Sequence, residues 1–91
     1  MKRYRMIVKG KVQGVGYRQF TKEQATQLTL SGWVRNEPNG EVCLEVQGPV
    51  SQLDQLVALC KQGPSWSRVD HVDWEEVKVV VGETFFTIKY V

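Results

Sequence analysis

The residues best suited to chemistry sit in one short stretch, Gln13-Gly14-Val15-Gly16-Tyr17-Arg18. Two glycines two apart let a chain take up positive φ and let a ligand approach the backbone closely. Successive amides in such a turn can converge on one anion. If a helix follows, its first N–H groups lack intrahelical partners and its positive dipole end adds to the same field. Arg18 contributes a permanent charge and a planar fork matched to phosphate oxygens. Helix-end contacts are worth about 0.3–1 kcal/mol each. Hydrogen bonds to charged groups are worth roughly 1.5–3 kcal/mol, so the arginine should decide affinity. On glycine spacing alone, an anion cradle and a simple tight turn with a solvated arginine stand equal. The stretch is neither a GxxxxGK[ST] loop nor a GxGxxG dinucleotide fingerprint.

A second group is Gly32-Trp33-Val34-Arg35-Asn36, just before Pro38-Asn39-Gly40. Asn36 can open the turn, as asparagines often do. It can also hold a water, because a carboxamide offers donor and acceptor together and does not titrate. His71 is the one histidine and lies apart from both groups, so a surface strand position suits it better than a catalytic base. Cys43 and Cys60 form no CxxC or Cys/His pair, which leaves no zinc pattern.

Elements that would position these groups follow from periodicity. Residues 4–13 alternate, with Tyr4, Met6, Val8 and Val12 on one face and Arg5, Lys9 and Lys11 on the other, as in a half-buried strand. From Tyr17 to Leu30 the period becomes helical, with Phe20, Gln24/Ala25 and Leu28 in one stripe, and Ser31-Gly32 closes the helix as a C-cap. Residues 33–36 and 41–47 read as a hairpin about Pro38-Asn39-Gly40. Ser51 is placed to cap a second helix carrying Leu53, Leu56, Val57 and Cys60, and Gly63-Pro64 stops it. Residues 69–81 suggest a long strand and 85–90 a last one. The order is that of an α+β, ferredoxin-like split βαβ domain with a short extra strand: an antiparallel sheet with both helices on one face. Cys43 should face away from the helices and Cys60 toward them, which disfavours a disulfide.

Bulk properties narrow the classes. A chain of 91 residues suits a single domain over 1–91. A net charge of +2 is too weak for a dedicated nucleic-acid binder. The basic residues Lys2, Arg3, Arg5, Lys9 and Lys11 and the acidic Asp70, Asp73, Glu75 and Glu76 are best read as neighbouring strands pairing opposite charges. No apolar run spans a membrane and no signal-peptide h-region is present, so the expected location is the cytoplasm, with thiols reduced.

The segment from Val8 to Arg18, Val-Lys-Gly-Lys-Val-Gln-Gly-Val-Gly-Tyr-Arg, resembles the first signature of the acylphosphatase family. Gly32-Trp33-Val34-Arg35-Asn36, with Gly40, Val42 and Gly48 at their offsets, resembles the second. The resemblance covers nearly the whole chain. It implies hydrolysis of a carboxyl–phosphate anhydride, with Gln13, Gly14, Val15, Gly16, Tyr17 and Arg18 binding the phosphoryl group and Asn36 orienting the attacking water. It implies a small acyl phosphate as the partner and no metal or organic cofactor; the weak charge and the lack of a membrane-length apolar run argue against nucleic acid and membrane partners. A monomer is the simplest state. One departure stands out: many relatives carry Thr or Ser after the asparagine, where this chain has Glu37. Such a sheet has two other uses. An RNA-recognition module is disfavoured, because the strands offer Tyr4 but no Lys/Arg-Gly-Phe-x-Phe run. An anion sensor would keep the cradle without turnover.

Overall fold

The computed structural model describes residues 1–90. Alternation makes the strand β1, Lys2–Lys11, and its even-numbered residues Tyr4, Met6 and Val8 are all buried. The helix α1 spans Tyr17–Gln27, and the strands β2, Ser31–Asn36, and β3, Val42–Gly48, form the expected hairpin. The helix α2, Val50–Gln62, leads into β4, Arg68–Val77, and the chain closes with β5, Phe86–Lys89. Strand order is β4-β1-β3-β2-β5. Both helices cover one face, where Met6, Val8, Val34, Leu44 and Val46 meet Tyr17, Ala25, Leu53, Leu56 and Cys60. Each fully buried aliphatic side chain there contributes about 1.5–3 kcal/mol.

Several expectations need correction. The sheet is mixed rather than wholly antiparallel, because β5 runs parallel to β2. β4 and β5 lie on opposite edges, four strand spacings or about 19 Å apart. The intervening residues 78–85 can reach about 26 Å when extended, enough to cross but not enough to wander. β4 therefore ends at Val77 rather than continuing to residue 81. Ser31-Gly32 does not cap α1 but starts β2. The helix ends instead in a Schellman arrangement: Leu30 N–H reaches Ala25 O at 2.9 Å and Thr29 N–H reaches Thr26 O at 3.1 Å, with Thr29 left-handed at φ 58°. The buried stripe of α1 is Tyr17, Thr21 and Ala25, with Phe20 only partly covered. At α2 the N-cap is Pro49, and Ser51 Oγ bonds Gln52 Oε1 at 2.7 Å instead of capping.

The face away from the helices is not bare. Arg3 is 1% exposed there, its guanidinium donating to Glu45 at 2.7 Å, Gln47 at 2.9 Å and Glu83 at 2.8 Å. Gln47 also bonds Val80 N–H and O at 2.8 and 2.9 Å, so these groups tie down the crossing segment. Cys43 faces the same side, opposite Cys60, and both thiols are free and buried. As read from charge, β1 and β4 are neighbours, with Lys2–Glu76 and Lys9–Asp73 ion pairs at 3.6 and 3.2 Å. No helix among the described residues is long and apolar enough to cross a membrane.

Candidate active site

β1 ends at Lys11, and α1 begins six residues later, so the loop between them must turn sharply. Gly14 and Gly16 supply that turn with φ of 71° and 78°, both left-handed. A Cβ at either position would meet no protein atom within 4 Å. Their role is thus conformational, and the space before them is open to a ligand. The first helical bond is Phe20 N–H to Gly16 O at 3.0 Å, and no side chain caps the helix. Among the described residues, the main-chain N–H groups of residues 14–19 have no main-chain partner. They are the orphan donors that an anion at a helix N-terminus satisfies.

The helix start is fixed from beneath. Tyr17 is buried, and its hydroxyl donates to Cys60 O at 2.7 Å, pinning the first turn of α1 to α2. Burial pushes the Tyr17 phenol's pKa up and raises that of the Cys60 thiol to about 12, so neither group titrates near neutrality. With Tyr17 facing inward, Arg18 faces out. Its guanidinium stacks over the Tyr90 ring at 4.9 Å, a contact worth about 0.5–1 kcal/mol at an exposed site. No carboxylate among the described residues pairs with Arg18. Its charge is left for another anion.

Asn36 is the last residue of β2, and it lines one cleft of about 160 Å³ with Gly14, Gly16, Tyr17, Arg18 and Gln19. Val12, Ile88 and Tyr90 complete the walls, and among the described residues no carboxylate lies in them. Asn36 Oδ1 is buried, yet among the described residues no donor reaches it. Leaving a buried acceptor unbonded costs about 1–3 kcal/mol, so this atom is suited to accept a hydrogen bond from a small molecule such as water.

Gln13 and Val15 lie differently from the rest of the predicted set. The Gln13 side chain turns away from the cleft, and its Nε2 donates to Glu37 O at 2.8 Å and Glu41 O at 2.9 Å. It clamps the loop to the hairpin turn directly after Asn36. Val15 packs partly against the core. Glu37, which follows the asparagine, accepts from Arg35 Nε at 3.0 Å and does not line the cleft. Sequence reasoning missed Tyr90, Ile88 and Gln19 as cleft residues. The alternation of the last strand was the one available hint for Ile88 and Tyr90. His71 is exposed and bonds Asp73 at 2.7 Å, away from the cleft. Among the described residues, no three His, Cys, Asp or Glu side chains are grouped to hold a metal ion.

Comparison with known proteins identifies the family and the fold. The family model described as Acylphosphatase matches residues 4–88. An acylphosphatase of Rhizorhabdus wittichii is 46% identical over 81 residues, 89% of this chain and 82% of the relative. One from Caldivirga maquilingensis is 46% identical over 89 residues, 97% of this chain and 94% of the relative. The crystal structure of the acylphosphatase from Bacillus subtilis superposes with a TM-score of 0.94 at 38% identity, covering 99% of this chain and all of that one.

Proposed function

Because this chain belongs to the acylphosphatase family, an enzyme class that hydrolyses acyl phosphates, we propose that its turnover runs in the cleft between the 14–19 loop, Arg18 and Asn36. The amides of the loop and the first turn of α1 hold the phosphoryl oxygens, with Arg18 as the charged donor. Asn36 Oδ1 accepts a hydrogen bond from the water and aims its oxygen at phosphorus. The water oxygen forms a new bond to phosphorus as the bond from phosphorus to the acyl oxygen breaks, and the acyl group leaves as a carboxylate. Both water protons end on phosphate oxygens, with the substrate's own phosphoryl group as the base.

This division of labour follows from the reaction. A carboxylate leaves readily, so no general acid is required. Phosphoryl transfer asks chiefly for alignment and for stabilisation of charge on the equatorial oxygens. Fixed amides and a guanidinium supply that field without reorganising. The observation that carries the reading is the buried Asn36 Oδ1, unbonded among the described residues, in the same cleft as Arg18, which pairs with no carboxylate among them. We take residues 1–91 to act as one monomeric unit, without metal or cofactor, in the cytoplasm. The free thiols Cys43 and Cys60 suit a reducing compartment.

The test is a benzoyl phosphate assay in EDTA on wild type, Arg18→Ala and Asn36→Ala. Wild type should turn over in the chelator. Arg18→Ala should weaken inhibition by inorganic phosphate and nearly abolish turnover. Asn36→Ala should keep phosphate affinity and lower kcat about a hundredfold or more, the scale for one lost positioned donor or acceptor. Wild-type rates in both variants would overturn the assignment.

A further inference from the structure

We propose that the acyl group of the substrate lies in a second hollow, bounded by Lys11, Gln13, Gly14, Val15 and Trp66, and that Trp66 and Lys11 set which acyl phosphates are preferred. The proposal rests on the cradle reading above. The hollow has about 340 Å³ and shares Gly14 with the cleft that holds Asn36.

Direction is the first argument. Displacement at phosphorus places the attacking and leaving oxygens roughly in line, on opposite sides. Asn36, Ile88 and Tyr90 close the cleft on the side of β2 and β5. The leaving group must therefore point across the loop, toward β1 and β4. Lys11 ends β1 and Trp66 lies in the link between α2 and β4, on that side. Gly14 lines both hollows, and a Cβ there would meet no protein atom within 4 Å, so the space beside it is open.

Chemistry is the second argument. Trp66 is 82% exposed, so packing within the fold does not account for the ring. An indole at the mouth of a catalytic loop offers a flat apolar surface to an acyl group longer than acetyl. Lys11 is exposed and pairs with no carboxylate among the described residues, whereas Lys2 and Lys9 of the same strand do pair. The site thus fits an acyl group with an apolar body against Trp66 and an anionic end beside Lys11.

The experiment compares kcat/KM for acetyl, benzoyl and succinyl phosphate in wild type, Trp66→Ala, Trp66→Phe and Lys11→Gln. The benzoyl-to-acetyl ratio should fall about fivefold in Trp66→Ala, as expected for one lost aromatic contact, and largely recover in Trp66→Phe. The succinyl-to-acetyl ratio should fall about threefold in Lys11→Gln, the scale of one exposed ion pair. Unchanged ratios, or a parallel fall on all three substrates, would overturn the acyl site while leaving the cradle intact. A wild type inactive on acetyl phosphate, or an Arg18→Ala variant with wild-type rates, would remove the cradle reading and this inference with it.

Discussion

Replacing Gln13 by alanine tests how the loop before α1 is held in register with Asn36. One amide nitrogen donates twice, to Glu37 O at 2.8 Å and Glu41 O at 2.9 Å. Both carbonyls keep a main-chain partner after the change: Gly40 N–H on Glu37 O at 3.1 Å and Glu37 N–H on Glu41 O at 2.8 Å. The variant therefore loses two bonds without stranding an acceptor, and at about 0.5–1.5 kcal/mol each its stability should fall by about 1–3 kcal/mol. The catalytic effect should be larger in proportion. With the clamp gone, the loop and the Asn36 hairpin shift independently, and a displacement of about 1 Å costs on the order of a hundredfold in rate. We expect kcat on benzoyl phosphate to drop roughly 10- to 100-fold, with inhibition by inorganic phosphate nearly unchanged, since the loop amides and Arg18 remain. Gln13→Glu should be worse than alanine, because it sets a carboxylate against two carbonyl oxygens. Urea denaturation, steady-state kinetics and phosphate inhibition together read these effects. A Gln13→Ala enzyme that loses stability but keeps its kcat would refute the reasoning.

Thr29 holds a left-handed conformation at φ 58°, which costs a non-glycine residue about 1–2 kcal/mol. Thr29→Gly should raise stability by up to about 1 kcal/mol after glycine's own entropy cost, seen as a higher Tm; a lower Tm would contradict the strain. Arg3→Met should destabilise by about 3–5 kcal/mol, because it leaves Glu45 and Glu83 facing each other in a covered site; urea titration measures it, and a loss below about 1 kcal/mol would mark the network as no more than a surface pair. The fold should weaken at alkaline pH. Burial holds the Cys60 pKa at about 12, above the unfolded value, so the unfolded chain loses that proton first and binds fewer protons than the folded one. Stability is then fully present below about pH 8.5 and falls by roughly 1.4 kcal/mol per pH unit above it until the folded thiol also ionises. Urea midpoints at pH 8, 9 and 10 would show the slope, and a flat profile would count against it.

What could be read in advance was local. Alternation at Tyr4, Met6 and Val8 and the turn at Pro38-Asn39-Gly40 report the inward face and the hairpin, because a strand's period and a turn's φ requirements are written into neighbouring residues. The loop proposed to hold the phosphoryl group stands out for the same reason: its glycines and Arg18 are contiguous. Long-range partners were not. Arg3 is buried by Glu83, 80 positions away, and nothing near Arg3 announces that a crossing segment will cover it. The parallel pairing of β5 with β2 is likewise a consequence of that crossing. Gln13 was expected among the phosphoryl ligands, whereas its side chain reaches the turn 24 and 28 positions on. At Ser31-Gly32 the turn chemistry misled, because tertiary pairing drew both residues into β2 while Thr29 took the left-handed position.

In the proposed site, main-chain nitrogens of residues 14–19 and the Arg18 guanidinium grip the phosphoryl group while Asn36 acts on the water. A proton–nitrogen NMR titration with inorganic phosphate, on wild type and Asn36→Ala, tests it most directly. The largest shifts should fall at the amides of residues 14–19 and the Arg18 side chain, with the same affinity in both proteins. Shifts centred elsewhere, or loss of phosphate binding in Asn36→Ala, would contradict it.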